Sequence, residues 1–386
     1  MPKKRKCCHR VARPCRYVSL GFWLVIGLAG QSGLAAPAPH GGTASETNRL
    51  IDDAADGRLD QFKLIDAALI AEGVTDLRRR AAYGDQFRQW AHQLGDVDRP
   101  DAPLRQRAAM VLRFLHHNIL TGDYDPDATR LATVFQAGQF NCVSSTVLFQ
   151  AMCQEIELES WPVLGAGHVR CVVPSDGRYW LVETTSADWP HVLAAADSRA
   201  DFTVEQANPA AKLQRRISPA QLLSVIYYNR AIRLLDSGHY SDSITANVAA
   251  WRVDPHNRNV RQNLLATINN WAVALVTDGQ YADAAAVLAT GRKIDPDYDK
   301  FQHNEIFVLD RWASHLRNQR RFGEAAQLLQ AADRRHPHMP VLAQSLRQTR
   351  DGVNESHVAK SQRAEGTIGC SADPDRRWFD VEVPVR

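Results

Sequence analysis

Cys142, His168 and Glu183 are the residues whose types and order could do covalent chemistry. A thiolate is a strong nucleophile. An imidazole takes up and returns a proton near neutral pH. A carboxylate orients the imidazole and stabilises its cation. Each also has an ordinary use alone: a buried cysteine packs as a small hydrophobe, a strand histidine is structural, and a glutamate before two threonines is solvated. The three become informative only if neighbouring elements bring them together.

Gly138 and Asn141 mark a turn, and Cys142-Val-Ser-Ser-Thr-Val-Leu-Phe then runs as a buried helix to about Cys153. Cys142 is therefore expected at or near a helix N-terminus. Unpaired N–H groups and partial positive charge there favour thiolate over thiol. An ordinary cysteine, with pKa about 8.5, is only a few per cent thiolate at neutral pH. The same N–H groups can stabilise an oxyanion. Gln136, six residues before the cysteine, and Gln139 are the candidates to complete such a hole.

A short strand is expected over residues 161–163. His168 follows Gly165-Ala-Gly at the start of a predicted strand, 167–173, and Glu183 lies near the end of another, 178–184. Pro174-Ser-Asp-Gly177 is a turn signal. With those four residues as the loop, Val173 pairs with Arg178 and His168 stands directly opposite Glu183, their Cβ atoms about 5 Å apart.

Upstream, residues 48–120 carry helical spacing. It is clearest in Leu104, Ala108, Leu112, Leu115 and Ile119 after the start signal Asp101-Ala-Pro. A turn over 121–128 and a helix over about 129–137 lead to the cysteine. His116-His117 has no acidic or cysteine partner at ligand spacing, so it reads as a surface or core pair; no metal and no cofactor is expected. Cys153 is eleven residues beyond Cys142 on nearly the same helix face and reads as buried and inert. Cys171 reads as structural. A Cys153–Cys171 bridge is conceivable in an exported chain, but spacing does not establish it.

Phe140-Asn-Cys142-Val-Ser-Ser, Gly167-His168-Val169 and Trp180-Leu-Val-Glu183-Thr-Thr carry a likeness that covers about Leu104 to Ser186. This region resembles the bacterial transglutaminase-like superfamily, which has a papain-like fold. The resemblance implies an α+β papain/transglutaminase-like domain with Cys142 as nucleophile, His168 as base and acid, and Glu183 as orienter. Many members carry Asp in the third place, and Glu183 is one methylene longer. The implied reaction is acyl transfer from an amide through a thioester on Cys142. Water as acceptor makes a protease or amidase, and an amine makes a transglutaminase. No amine-binding feature is visible, so hydrolysis of a protein or peptide is the expectation.

The C-terminal half repeats itself. Ala231, Ala272 and Ala313 align, as do Leu234, Leu275 and Leu316, and Asp254-Pro, Asp295-Pro and His336-Pro. Gly238-His-Tyr, Gly279-Gln-Tyr and Arg320-Arg-Phe fall in the same phase, with small residues at Ser243, Ala284 and Ala325 and at Ala250, Gly291 and Ala332. Each unit reads helix, turn, helix, Pro, with the aromatic after the turn filling the wedge between the two helices. This resembles tetratricopeptide repeats, lengthened from the usual 34 or so residues. An all-α repeat domain is expected to bind a protein partner in its groove.

The net charge of +3 comes from the N-terminus: residues 1–16 carry seven Lys and Arg and no acid, and without them the balance is −4. Nothing here suggests nucleic-acid binding. The basic stretch precedes an apolar core, Leu20 to Ala29, and small residues near Ala35 and Ala36, the pattern of a secretory signal. The division expected is 1–36 signal peptide or N-terminal membrane anchor, 37–46 linker, 47–205 transglutaminase-like domain, 219–345 repeats and 346–386 tail. Periplasmic, cell-envelope or extracellular placement follows. The alternative function is a non-catalytic envelope scaffold on a degenerate form of the same fold.

Overall fold

The computed structural model describes residues 41–175, 178–188 and 215–368. The chain divides into two compact units between Leu264 and Leu265.

Unit 1 starts with α1 (Gly41–Ala54), α2 (Leu64–Glu72), α3 (Leu77–Val97) and α4 (Leu104–Asn118). Helix α1 begins inside the stretch read as linker, because its last turns bury Leu50, Ile51 and Ala54. Asp76 caps α3 by accepting from the N–H groups of Arg78 and Arg79. Helix α4 starts directly after Pro103. Then come α5 (Leu131–Ala137) and α6 (Cys142–Glu155). Every residue of α6 from Cys142 to Cys153 is buried, so this helix is the centre of the unit.

Four strands follow: β1 (Trp161–Leu164), β2 (Val169–Ser175), β3 (Arg178–Val182) and β4 (Arg215–Arg216). They form an antiparallel sheet in the order β3-β2-β1-β4. Strand β2 packs on α6 and α4. Cys171 lies fully buried there, accepting a 3.3 Å hydrogen bond from Gln150 Nε2. The hairpin register differs from the expected one. Ser175 pairs with Arg178, Val173 with Trp180 and Cys171 with Val182. Only two residues therefore separate the paired ends, not four, because pairing continues through Pro174 and Ser175. The slip is two positions, so the face of each side chain is kept.

The first helix pair, α7 (Leu222–Asp236) and α8 (Tyr240–Val253), also belongs to unit 1. Helix α7 packs on α2 and α6, and α8 on α1. Leu222, Leu223, Ile226, Tyr227, Ala250 and Val253 join the core that surrounds α6. Residue 219 is thus not a domain edge: the apolar face of α7 completes the core of the N-terminal unit.

Helix α9 (Arg258–Thr277) runs across the divide. Unit 2 continues with α10 (Tyr281–Ile294), α11 (Asp299–Asn318), α12 (Phe322–Arg335) and α13 (Pro340–Ile368). The second helices of the pairs start at Tyr240, Tyr281 and Phe322, and so keep the 41-residue period. Their turns are alike. Gly238, Gly279 and Arg320 are left-handed, with φ of 75°, 76° and 59°. The next residue in each donates its N–H to a leucine carbonyl: His239 to Leu234, Gln280 to Leu275 and Arg321 to Leu316, at 2.8–2.9 Å. Ala231, Ala272 and Ala313 are fully buried, as the close packing of helix pairs requires. The helical-repeat reading therefore holds in the chain's own geometry.

The aromatic after the turn also makes a contact beyond its own pair in two of the units. Tyr281 sets its ring 5.2 Å from that of His315 on α11, and Phe322 packs at Gly352 on α13. Both rings reach the next unit. The tail read from residue 346 is also helical as far as Ile368. Its buried face includes Leu342, Ser345 and Thr349, with Leu346 packed beside them, and Arg317 Nη1 donates to Ser345 Oγ at 2.7 Å. Residues 378–383, Trp-Phe-Asp-Val-Glu-Val, whose pattern suits either an added edge strand or docking elsewhere, lie outside the described residues. So does the N-terminal apolar segment. No described helix is long and apolar enough to cross a membrane.

Candidate active site

Two glycines shape the approach to Cys142. Gly122 donates its N–H to the carbonyl of Gly138 at 3.1 Å. A Cβ on Gly122 would lie 2.8 Å from Ala137 O, and one on Gly138 would lie 2.6 Å from Thr121 Oγ1. Gly138 also has φ +66°, which favours glycine. The 121–125 turn can therefore lie directly against 138–140, where Tyr124 bridges to Phe140.

Asn141 then caps α6. Its Oδ1 accepts from the N–H groups of Val143 and Ser144 at 2.9 and 3.0 Å, and Ser144 Oγ accepts from Asn141 N at 3.0 Å. This capping box fixes Cys142 as the first helical residue. At the other end, Arg107 of α4 donates to the carbonyl of Ile156 while its guanidinium pairs with Asp98 through two bonds, of 3.0 and 2.7 Å. The helix that carries the thiol is thus held at both ends. Cys142 is 3% exposed and not in a disulfide, and neither is Cys153 or Cys171. Burial pushes the Cys153 thiol up to about 12 and the Cys171 thiol well above its ordinary value, so both stay protonated.

His168 and Glu183 meet directly: His168 Nε2 lies 2.8 Å from Glu183 Oε2. They meet diagonally, not face to face. The true register sets Glu183 level with Arg170, whose Nε is 3.6 Å from the same oxygen, and the longer glutamate side chain reaches across to His168. Thr185 donates its O–H and N–H to Glu183 Oε1 at 2.7 and 3.3 Å. Burial by itself raises the Glu183 carboxyl. The His168 hydrogen bond and charge and the two Thr185 donors outweigh burial and hold it below the usual carboxylate range. The carboxylate can only accept, so His168 Nε2 carries the hydrogen and Nδ1 is the nitrogen left to act as base.

The first turn of α6 is tied to the chain on either side of that pair. Ser145 Oγ and Thr146 Oγ1 lie 2.9 and 3.0 Å from Thr184 Oγ1, next to Glu183. Thr146 Oγ1 donates to the carbonyl of Val169, next to His168, at 3.4 Å. Ser145 Oγ returns to the carbonyl of Cys142 at 3.3 Å. His116 of α4 closes the group, with Nε2 donating to the carbonyl of Thr184 at 3.0 Å and its ring edge-on to Phe140 at 5.5 Å. Burial lowers the His116 pKa, against the raising effects of the Thr184 bond and nearby Asp188.

The two glutamines are placed differently from the expectation. Gln136 donates its amide to Tyr83 Oη at 2.6 Å, and Gln139 is exposed between α5 and α6. Neither is brought to Cys142 by a described hydrogen bond. The capping box also engages two N–H groups that the sequence reading had offered to an oxyanion. Arg170, Thr184, Thr185 and His116 were missed as site residues. Thr184 and Thr185 stood in a quoted motif without a role, and His116 had only its neighbour to suggest a metal. Among the described residues no cluster of three or more His, Cys, Asp or Glu could hold one.

No family model matches the chain, and no curated protein does. Among solved structures it is similar to the one described as the crystal structure of the P58(IPK) TPR domain, at 14% identity over 82% of this chain and 80% of that one, with a TM-score of 0.21. The repeat character of the chain rests on its own period.

Proposed function

We propose that unit 1 is a transglutaminase-like cysteine enzyme with a papain-like arrangement, acting on amide bonds of protein or peptide substrates. The observation that carries this reading is the 2.8 Å His168–Glu183 bond beside a helix that starts at Cys142. In the reaction, the Cys142 thiolate attacks the amide carbon and forms a tetrahedral oxyanion. His168 gives a proton to the amine as it leaves, and a thioester remains. Water attacks the thioester, His168 takes its proton, and the acid departs as the C–S bond breaks and the thiolate is regenerated. Glu183 keeps the hydrogen on Nε2 and stabilises the imidazolium. The helix pairs supply protein-binding surface, and the N-terminal sequence argues for export with or without a retained anchor.

Acyl trapping tests this reading. Incubation with an activated ester such as p-nitrophenyl acetate, followed by peptide mapping, is expected to place an acyl group on Cys142. The adduct should disappear in Cys142→Ala and fall sharply in His168→Ala. Acylation spread over surface lysines with none at Cys142 would sink the proposal.

A second reading, a scaffold that keeps the arrangement without turnover, is favoured by one observation. Gln136 is committed to Tyr83, and the α6 cap engages Val143 and Ser144, so two expected sources of oxyanion stabilisation are in use. Under that reading Cys142→Ala leaves biological function intact.

A further inference from the structure

Thr184 is fully buried and is the residue on which the three parts of the site converge. Its hydroxyl meets Ser145 and Thr146 of the nucleophile helix at 2.9 and 3.0 Å. Its carbonyl accepts from His116 of α4 at 3.0 Å. Its neighbours in the chain, Glu183 and Thr185, are the acid and the residue that bonds the acid. Strand β3 has already ended at Val182, so ladder hydrogen bonds do not fix this segment. Beyond the ladder, the segment is held to α6 by the hydroxyl cluster and to α4 by the His116 bond.

We propose that Thr184 is a positioning residue, a buried latch that fixes the height of the Glu183 carboxylate, and through it the His168 ring, against the start of α6. This rests on the reading of Cys142 as a nucleophile worked by His168. The physical case is that a hydroxyl between two others on a rigid helix accepts one placement, whereas an apolar side chain of the same shape accepts several. A valine in its place leaves Ser145 and Thr146 with only their longer bonds to the carbonyls of Cys142 and Val169, at 3.3 and 3.4 Å, and removes the hydroxyl link between the nucleophile helix and the acid segment.

The test is the rate at which iodoacetamide alkylates Cys142 in the full-length protein from pH 5 to 9, read by mass spectrometry, for wild type, Thr184→Val, Thr184→Ser, Ser145→Ala and His168→Ala. Thr184→Val is expected to slow labelling at pH 6 by about tenfold or more, as misplacement of an activating group does, and to move the profile towards that of His168→Ala. Thr184→Ser, which keeps the hydroxyl, should restore the wild-type profile, and Ser145→Ala should fall between. A loss of packing alone would lower the melting temperature without moving the profile. The proposal is overturned if Thr184→Val keeps the wild-type profile while His168→Ala does not. If Thr184→Val does not fold, a wild-type profile in Ser145→Ala overturns it equally. If His168→Ala also labels like wild type, the nucleophile reading falls first and takes the latch with it.

Discussion

Glu183 is the residue at which opposing effects can be weighed. Burial favours its neutral form, yet hydrogen bonds from His168 and Thr185 hold the carboxyl below its ordinary value. A depressed acid contributes stability that is present above its unfolded pKa, about 4.3, and lost as pH falls through the folded value. Wild type should therefore exceed Glu183→Gln in thermal stability at pH 7, and the gap should shrink below about pH 4.3; a gap independent of pH would mean that the ion pair does not contribute. The identities of Cys142, His168 and Glu183 were legible because each type occurs once at the right place on the right element. The pairing was not. The turn signal Pro174 to Gly177 marked a bend without telling whether two or four residues make it, and Pro174 and Ser175 turned out to pair. Thr184 and His116 were illegible for another reason: their roles depend on contacts 39 and 68 residues away.

At the scale of elements, Glu72 acts for α5 as a cap borrowed from another helix. Its carboxylate accepts from the N–H groups of Leu131 and Ala132 at 2.6 and 3.1 Å. Burial still raises its pKa to about 6, against those bonds and the charges of Arg233 and Arg130. A raised acid binds more protons folded than unfolded, so stability falls as pH climbs from about 4.5 to 6, by roughly 2 kcal/mol. Urea unfolding should show that decline in wild type and not in Glu72→Gln; parallel curves would contradict it. The repeat turns give a second case. Gly238 and Gly279 hold left-handed positions at no steric cost, and Arg320 holds the third with φ 59°. Arg320→Gly should stabilise the protein by about 0.5–1 kcal/mol, the left-handed penalty less the extra chain entropy of glycine. A lowered melting temperature would refute this. Helix pairs were readable in the sequence because six positions recur in phase. The helical run of α13 past Asp351 was not, since the sequence there is mostly polar and carries no apolar period.

For the whole molecule, the repeat boundary and the folding boundary do not coincide. Sequence similarity among repeats starts the second domain near 219, but burial puts α7 and α8 with the N-terminal unit, through fully buried Leu222 and Leu223 and nearly buried Tyr227. A chain of residues 41–218 should aggregate or unfold without cooperativity, whereas 41–277, which keeps the first helix pair and all of α9, should show a cooperative transition. Stable folding of the shorter chain would refute this account of the core. The role of the site also belongs at this scale, because under the proposed function activation of Cys142 would need α4, α6 and the sheet assembled at once. The most direct test of the central claim is the pH dependence of Cys142 alkylation by iodoacetamide in wild type against His168→Ala. The account predicts fast labelling already at pH 6 in wild type, reverting in the variant to an ordinary thiol profile with a midpoint of about 8.5. An ordinary profile in both proteins would contradict it and leave a cysteine that packs a helix start without doing chemistry.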